Sequence, residues 1–369
     1  MADPRIEKLA DLLVNYSVAV KAGDKVLIQG STIGEPLIEA VYQKILQAGG
    51  HPTLLTTFPF ESELIFRYGS DEQLKHVPEP LKLAMSTYDC RIYIMADNNT
   101  RALSKVDPPK MVIRSQARGE LMKIQMKRAA AGELRWVLAP YPTNAYAQDA
   151  EMSLTEYEDF LYNACMPDLK DPIGYWKKVR AYQTKIVKWL KGKKKVHLVG
   201  KETDLKLSIQ GRTFVSCHGD KNIPDGEVFT GPIENSVEGK VFFSYPAIYN
   251  GREVTGVRLW FEKGKVVKAT ADKNQDFLVK TLATDSGSKR VGEFAIGTNE
   301  GITKFTREIL FDEKIGGSFH MALGAGYPET GSKNESAIHW DMVCDLRDGG
   351  EIRVDNELFY KNGKFVIKF

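Results

Sequence analysis

The sequence predicts an α/β protein in two parts: an N-terminal α/β domain with a mostly parallel sheet, and a C-terminal β-rich α+β domain. Three observations lead to this fold class. Strand-like and helix-like runs alternate in the first half, strand-like runs dominate the second half, and 369 residues suffice for two domains of roughly 150 residues or more. We place the boundary where the helical pattern ends, which gives domains 1–195 and 196–369.

The composition is that of a folded globular protein, with 43% hydrophobic and 27% charged residues. The formal net charge of +3 does not indicate a nucleic-acid partner, which would call for a clustered basic face. Four scattered cysteines without a CxxC pair argue against a thiolate zinc site and favour reduced thiols in a cytoplasmic protein. We expect no signal peptide and no membrane span, because no apolar run is long enough.

In the first half, apolar runs alternate with stretches of helical periodicity. In the opening stretch, for example, Ile6, Leu9 and Leu13 recur at the spacing that places side chains on one face of a helix. Strands that alternate with helices predict a parallel sheet flanked by helices. The predicted strands are 25–29, 52–57, 90–95 and 134–138, and the predicted helices are 5–15, 35–48 and 115–132.

The turn after the first strand is the usual place for a nucleotide site in such a fold. Here residues 30–34 read GSTIG, which matches neither GxGxxG nor a Walker motif, so we prefer a plain strand-to-helix turn. Two further helices are predicted at 154–168 and 171–192. The basic run 191–195 at the end of the second is interpreted as a solvated helix end, where cations suit the helix dipole.

The second half is predicted to be mostly strands. Asn362-Gly363 between two apolar runs is a strong hairpin signal, and 262–264 is a weaker one. Helices are expected at 273–284 and 300–310. The strand-like runs are 196–200, 205–210, 241–250, 255–269 and 350–369.

The chemistry is concentrated in a glycine-rich stretch, 314–341, which holds two of the six histidines. Within it, His339-Trp340-Asp341 lies in a strand-like run. Because residues i and i+2 of a strand share a face, His339 and Asp341 point together while Trp340 points into the core. Such a pair on a rigid strand forms half of a metal site. Cys344 falls on the opposite face and is expected to pack rather than bind metal.

Two acidic residues also lie in strand-like runs among apolar neighbours. Glu227 follows a turn that opens into a strand, and Glu293 lies between Val291 and Ala295 in an alternating run. An acid on the apolar face of a strand is costly unless it is paired or binds metal. Taken alone, each acid is more simply an edge-strand or surface carboxylate.

Taken together, these side chains form a set of metal ligands. Two imidazoles and three carboxylates suit zinc, cobalt or manganese and lack the thiolates of structural zinc. Five or six ligands exceed the three or four of one catalytic zinc, so the count favours two metal ions. The candidate ligands are Glu227, Glu293, His320, His339 and Asp341, with Tyr327 as a further candidate.

At these residues the sequence resembles the thermophilic aminopeptidase family of metallopeptidases, peptidase family M29. The C-terminal motifs match in residue type and order, and weaker matches at 12–30 and 138–153 extend the resemblance to nearly the whole chain. The C-terminal motifs are NIPDGEVFTGP (222–232), VEGKVFF (237–243), GEFAIGTN (292–299) and EKIGGSFHMALG through KNESAIHWDMV (313–343).

The resemblance implies two divalent metal ions, usually cobalt or zinc, and removal of N-terminal amino acids from peptide substrates with a free N-terminus. It also implies a homodimer whose C-terminal domain carries the metals. The family's six ligand positions each hold the expected residue type here, at Glu227, Glu293, His320, Tyr327, His339 and Asp341.

The expected mechanism is attack of a metal-activated water on the scissile carbonyl. A carboxylate must take the proton and pass it to the leaving amine; Glu293 is our candidate, although the sequence does not separate it from Glu227. Tyr327 is expected either to bind metal or to donate a hydrogen bond to the tetrahedral intermediate. Two alternatives stay open: a dimetal hydrolase of another amide or ester, and a non-catalytic peptide- or metal-binding protein on the same fold.

Overall fold

The structure is a computed structural model that describes residues 3–368. Phe369, the last residue of the predicted final strand run, and the first two residues lie outside the described part. The chain divides into two compact units. Unit 1 comprises Met1–Tyr175 and Gly219–Pro224, and unit 2 comprises Trp176–His218 and Asp225–Phe369.

Several helices begin where capping groups or prolines favour a helix start. Asp3 accepts a hydrogen bond from the backbone N–H of Arg5 at the first helix, and Ser153 and Glu156 form a capping box at the eighth. The helices are α1 (Pro4–Leu12), α2 (Glu35–Gln47), α3 (Glu61–Tyr68), α4 (Asp71–Lys75), α5 (Glu79–Thr87), α6 (Pro108–Ala130), α7 (Asn144–Asp149), α8 (Leu154–Cys165), α9 (Pro172–Leu190), α10 (Gln275–Leu282) and α11 (Ile309–Asp312).

The strands follow the apolar runs of the sequence. They are β1 (Lys25–Ser31), β2 (His51–Thr57), β3 (Cys90–Met95), β4 (Arg135–Pro140), β5 (Lys195–Gly200), β6 (Thr203–Ser208), β7 (Val215–Cys217), β8 (Glu227–Thr230), β9 (Glu238–Phe242), β10 (Ala247–Tyr249), β11 (Arg252–Val254), β12 (Arg258–Glu262), β13 (Lys265–Thr270), β14 (Val291–Gly297), β15 (Ser318–Gly324), β16 (His339–Asp345), β17 (Glu351–Val354), β18 (Glu357–Lys361) and β19 (Lys364–Phe365).

Unit 1 is built on a four-stranded sheet in the order β2-β1-β3-β4, in which every pairing is parallel. The central strands bury both faces, as Val26, Leu27 and Ile28 in β1 show. A sheet covered on both faces calls for such continuous apolar runs. The predicted parallel sheet is therefore confirmed.

Unit 2 contains two larger antiparallel sheets, as the mostly strand-like second half predicts. One has eight strands in the order β13-β12-β9-β6-β5-β17-β18-β19, and the other has five in the order β16-β15-β14-β8-β7. Side chains from both sheets, among them Leu198, Leu205, Phe294 and Trp340, form one hydrophobic core. The two predicted hairpins are present as β12–β13 and β18–β19.

One predicted helix is wrong. Residues 300–308 form no helix, and only the short α11 follows them. The backbone N–H and hydroxyl of Thr306 both donate to the buried Asp312 carboxylate, and Arg307 has a φ of 64°. These side-chain hydrogen bonds compete with the helical pattern, because they satisfy backbone groups in a loop conformation.

Within the described residues, no helix is both long and apolar enough to cross a membrane.

Candidate metal centre

The five-stranded sheet of unit 2 has one apolar face and one polar face. Phe294, Phe319 and Trp340 point into the core, as do Met342 and Cys344. Side chains alternate along a strand, so the neighbours of these residues point to the other face. The predicted acids and histidines lie there: Glu227 on β8, Glu293 on β14, His320 on β15, and His339 and Asp341 on β16.

The structure brings these five side chains together into two overlapping groups. The ligand atoms of Glu227, Glu293 and His320 lie within 4.8 Å of one another, and so do those of Glu293, His339 and Asp341. Glu293 belongs to both groups. Its Oε1 is 3.5 Å from Nε2 of His320, and its Oε2 is 3.3 Å from Nε2 of His339.

Both histidines are oriented by backbone carbonyls outside the cluster. Nδ1 of His320 lies 2.8 Å from the Glu313 carbonyl oxygen, and Nδ1 of His339 lies 2.8 Å from that of Ala325. A carbonyl only accepts hydrogen bonds, so each Nδ1 carries a proton and Nε2 faces the carboxylates. This is how metal-binding histidines are usually held, with Nε2 as the ligand atom.

Two carboxylate oxygens of the cluster are buried without a hydrogen-bond donor within residues 3–368. Glu227 Oε2 and Asp341 Oδ1 are buried, and no donor among the described residues hydrogen-bonds to them. Their nearest charged neighbours are imidazoles at 3.4 Å, His320 and His339 respectively. Buried carboxylate oxygens without donors are costly, and a bound divalent ion would satisfy them. The donor set therefore fits a metal centre.

The electrostatics of the cluster hold protons on the histidines. Burial alone would lower the pKa of His320, but the hydrogen bond and charge of Glu293 and the charge of Glu227 outweigh it and raise the pKa to about 10. Burial also opposes protonation of His339, yet the adjoining Asp341 and Glu293 raise its pKa to about 12.

The three carboxylates respond differently to the same surroundings. Burial raises the pKa of Glu227 well above its usual range. Burial also acts on Asp341, but the charge of His339 overcomes it and lowers the pKa to about 2. The pKa of Glu293 is lowered, because its hydrogen bonds with both histidines exceed the effect of burial. Burial therefore decides the charge state of Glu227, whereas the imidazoles decide those of Glu293 and Asp341.

Tyr327, the sixth predicted residue, borders the cluster. Its ring lies 5.2 Å from that of His339 and 5.3 Å from that of Phe229. Burial, together with the charges of Glu293 and Asp341, raises the pKa of its hydroxyl far above the usual value. The phenol therefore stays protonated and can donate a hydrogen bond.

Three charged residues beside the cluster were missed by the sequence analysis. The fully buried Lys314 contacts the Glu313 carboxylate, and its Nζ is 3.9 Å from Glu227 Oε1. Asp225 is also buried and acts on Lys314 through its charge. The available signal was position: Asp225 lies two residues before Glu227, and Glu313-Lys314 opens the glycine-rich stretch.

A second ion pair supports the loop that carries Tyr327. Arg212 Nη2 lies 2.7 Å from Glu234 Oε2, and the other oxygen of Glu234 accepts from the backbone N–H of Lys333. Thr330 adds a link, because its carbonyl accepts from the backbone N–H of Thr213. These contacts fix the loop and with it the position of the phenol.

Comparison with known proteins gives consistent matches over nearly the whole chain. A family model described as thermophilic metalloprotease (M29) matches residues 2–365. Aminopeptidase 2 of Geobacillus stearothermophilus is 25% identical over 388 residues, covering 94% of this chain and 93% of that protein. Aminopeptidase T of Thermus thermophilus is 24% identical over 400 residues, covering 97% and 95%.

Solved structures show the same fold. Wild-type AmpT from Thermus thermophilus superimposes with a TM-score of 0.87 at 22% identity, covering 99% of each chain. The 2,5-dihydroxypyridine dioxygenase of Pseudomonas putida KT2440 gives a TM-score of 0.60 at 13% identity, covering 100% of this chain and 99% of that one. Because an oxygenase shares the architecture, the fold alone does not decide the reaction.

Proposed function

Because the chain belongs to the thermophilic metalloprotease family M29, we propose that it is a metal-dependent aminopeptidase. Its substrates are peptides with a free N-terminus, from which it removes the N-terminal amino acid. All six proposed functional residues lie in the predicted C-terminal catalytic domain, 196–369. The named aminopeptidases among its relatives support the reaction class.

The observation that carries the proposal is the pair of ligand groups that share Glu293. One group would hold one divalent ion through Glu227, Glu293 and His320; the other would hold a second through Glu293, His339 and Asp341. Glu293 belongs to both groups and so would help to hold both ions. Tyr327 is at the edge of the same cluster as a sixth ligand candidate. The nitrogen and oxygen donors suit zinc, cobalt and manganese.

When bound, the metal ions would acidify a water molecule and polarise the scissile carbonyl. The protein's own groups have three further tasks. The carbonyls of Glu313 and Ala325 hold the two imidazoles in place. Glu293 is our candidate to take the proton of the attacking water and deliver it to the leaving amine. The protonated Tyr327 hydroxyl can donate a hydrogen bond to the oxygen on which negative charge develops.

We further propose a cytoplasmic homodimer. None of the four cysteines forms a disulfide, as expected in a reducing compartment. Unit 1 exposes an apolar face around the edge strand β2, where Leu54, Phe58 and Phe60 are each more than 40% exposed. Exposed apolar side chains beside an edge strand are suited to an interface between two copies.

A chelation and add-back assay tests the proposal. The protein is dialysed against EDTA, and release of a chromogenic amide from leucine is followed as cobalt, zinc or manganese is returned. We expect activity to disappear on chelation, to return with metal and to be absent with an N-acetylated leucine substrate. Bound metal without release from any free-amine substrate would instead point to another amide or ester hydrolase or to a binding protein.

A further inference from the structure

Lys314 is a lysine without any exposure to solvent. Lysines are almost never fully buried unless paired, because an ammonium loses its hydration in the interior. It lies in the turn before β15, where its carbonyl accepts from the backbone N–H of Asn299 and its own N–H donates to the Phe311 carbonyl. The turn therefore fixes the starting point of a side chain that reaches into the polar cluster.

The ammonium of Lys314 lies among three carboxylates. It contacts Glu313 directly, lies 3.9 Å from Glu227 Oε1, and interacts with the charge of Asp225. The Asn299 side chain donates to the Asp225 carbonyl at 2.7 Å, so one residue positions both Asp225 and Lys314. Glu227 therefore faces Lys314 and His320 with different oxygens. Its Oε1 lies toward Lys314, and its Oε2 lies 3.4 Å from Nε2 of His320.

The same place could hold a metal ion if the ammonium were absent. Ligand atoms of Cys217, Asp225 and Glu227 lie within 4.8 Å of one another, and the charge of Lys314 acts on all three groups. A thiol with two carboxylates is a donor set that zinc and cobalt accept. This third group shares Glu227 with the proposed two-metal centre, but it contains no histidine.

Charge explains why a lysine is placed there. Five acidic side chains line the cluster and its margin: Asp225, Glu227, Glu293, Glu313 and Asp341. Two divalent ions would neutralise four of these charges, and the ammonium of Lys314 neutralises the fifth. Without the lysine, one buried negative charge would be left uncompensated, which is strongly unfavourable.

We propose that Lys314 is a built-in cation that restricts the centre to two metal ions by closing a third cation site formed by Cys217, Asp225 and Glu227. The proposal rests on the two-metal function above. Lys314 is accordingly a positioning residue, which acts through the carboxylates and not on the substrate. Removing its charge while keeping its length opens the third site.

Native mass spectrometry of the full chain loaded with Co²⁺ tests this proposal. Wild type and Lys314→Arg, which keeps the charge, are expected to bind the same number of ions. Lys314→Met is expected to bind one additional ion and to gain the near-ultraviolet charge-transfer absorption of thiolate bound to Co²⁺. Lys314→Met that binds the wild-type number with unchanged affinity, and without this absorption, would overturn the proposal.

Two double variants sharpen the test. In Glu313→Gln/Lys314→Met the lost positive charge is matched by a lost negative charge, so the protein should fold even if Lys314→Met does not. Because Cys217, Asp225 and Glu227 are intact in this variant, it should bind the additional ion. Failure of that variant to fold would contradict charge compensation, and binding of only the wild-type number of ions would contradict closure of the third site by Lys314. Cys217→Ala/Lys314→Met should lose the absorption band. A wild-type chain that binds no metal would instead defeat the proposed function itself.

Discussion

The two histidines of the cluster carry protons that a metal ion must displace. In the metal-free protein the pKa of His320 is about 10 and that of His339 about 12, so both imidazoles are cationic at neutral pH. In this state each imidazolium serves as the counter-ion of the carboxylates. Protons and metal ions therefore compete for the same Nε2 atoms.

Metal uptake at pH 7.5 should release at least two protons per chain, because each imidazole must become neutral to bind. The raised pKa of Glu227 acts in the same direction. Raising the pH removes the competing protons, so metal affinity should increase as pH rises toward about 10. Calorimetric titration in two buffers of different ionisation enthalpy measures the protons released. Uptake without proton release would show that the imidazoles are neutral before metal binds.

Replacement of His339 by Ala should remove one metal ion and reduce turnover more than 100-fold, since loss of groups that merely support a ligand already costs about 10- to 100-fold. Metal content and kcat are measured on the same preparation. His197→Ala is the matched control, because His197 Nε2 pairs with Asp204 on the eight-stranded sheet, away from the cluster. A His339→Ala variant with full metal content and activity would show that the site is wrongly assigned.

At the scale of elements, the five-stranded sheet separates packing from chemistry by strand alternation. Its strands bury aromatic and aliphatic side chains on one face and carry the cluster on the other. A small residue, Ala322, lies opposite Asp341 in the β15–β16 register, and Ala295 lies opposite His320 in the β14–β15 register. The rigid apolar face thus fixes the positions of the ligands.

Gly292, on β14, lies at a position of this sheet that has no room for a side chain. The β14–β15 register shifts between Val291 and Glu293, and a Cβ on Gly292 would lie 2.3 Å from the Ala325 carbonyl oxygen. That oxygen is the one that accepts from His339 Nδ1. The close approach therefore links the backbone beside Glu293 to the orientation of His339.

Gly292→Ala should lower the free energy of unfolding by about 1–3 kcal/mol, the usual cost of overpacking. It should also weaken metal binding by displacing the Ala325 carbonyl. Gly119→Ala is the control: it lies inside α6 with nothing within 4 Å of a new Cβ, and should stabilise the helix by up to about 1 kcal/mol. Melting temperatures and metal affinities of both variants are compared. Equal melting temperatures would contradict the close approach.

The elements that the sequence predicts well are those whose apolar runs are continuous or strictly alternating. The parallel strands of unit 1 and the strand that carries His339 and Asp341 belong to this class. The helix expected at 300–310 fails because the hydrogen bonds from Thr306 to Asp312 depend on a tertiary position that periodicity does not encode. The predicted strand run 241–250 is likewise interrupted: β9 ends at Phe242 and β10 begins at Ala247. Pro246 lies in the gap and cannot donate a ladder hydrogen bond.

At the scale of the whole molecule, the candidate site depends on strand order. The pairing of His339 with Asp341 follows from strand period alone, but Glu227, Glu293 and His320 converge only through the order β16-β15-β14-β8. Without the family resemblance, nothing in the sequence specifies that order. The sequence does not predict the burial of Lys314 beside the cluster, because a lysine next to glycines is usually a surface residue.

The exposed apolar face of unit 1 around β2 bears on how two whole chains could assemble. Within the described residues β2 pairs only with β1, so its outer edge is unpaired. Leu54 on β2 and the stacked rings of Phe58 and Phe60, 5.5 Å apart, extend this edge as an exposed surface. Natural proteins usually cover such edges, and a second copy of the chain would do so.

Light scattering coupled to size-exclusion chromatography should therefore give twice the chain mass for the wild type. Leu54→Lys/Phe60→Lys places two charges in the proposed interface and should give a single chain with its metal centre intact. Val267→Lys is the control, because Val267 is 55% exposed on β13, the edge strand of the eight-stranded sheet in unit 2. Dissociation by Val267→Lys instead would move the interface to unit 2, and a wild type with the mass of one chain would refute the dimer.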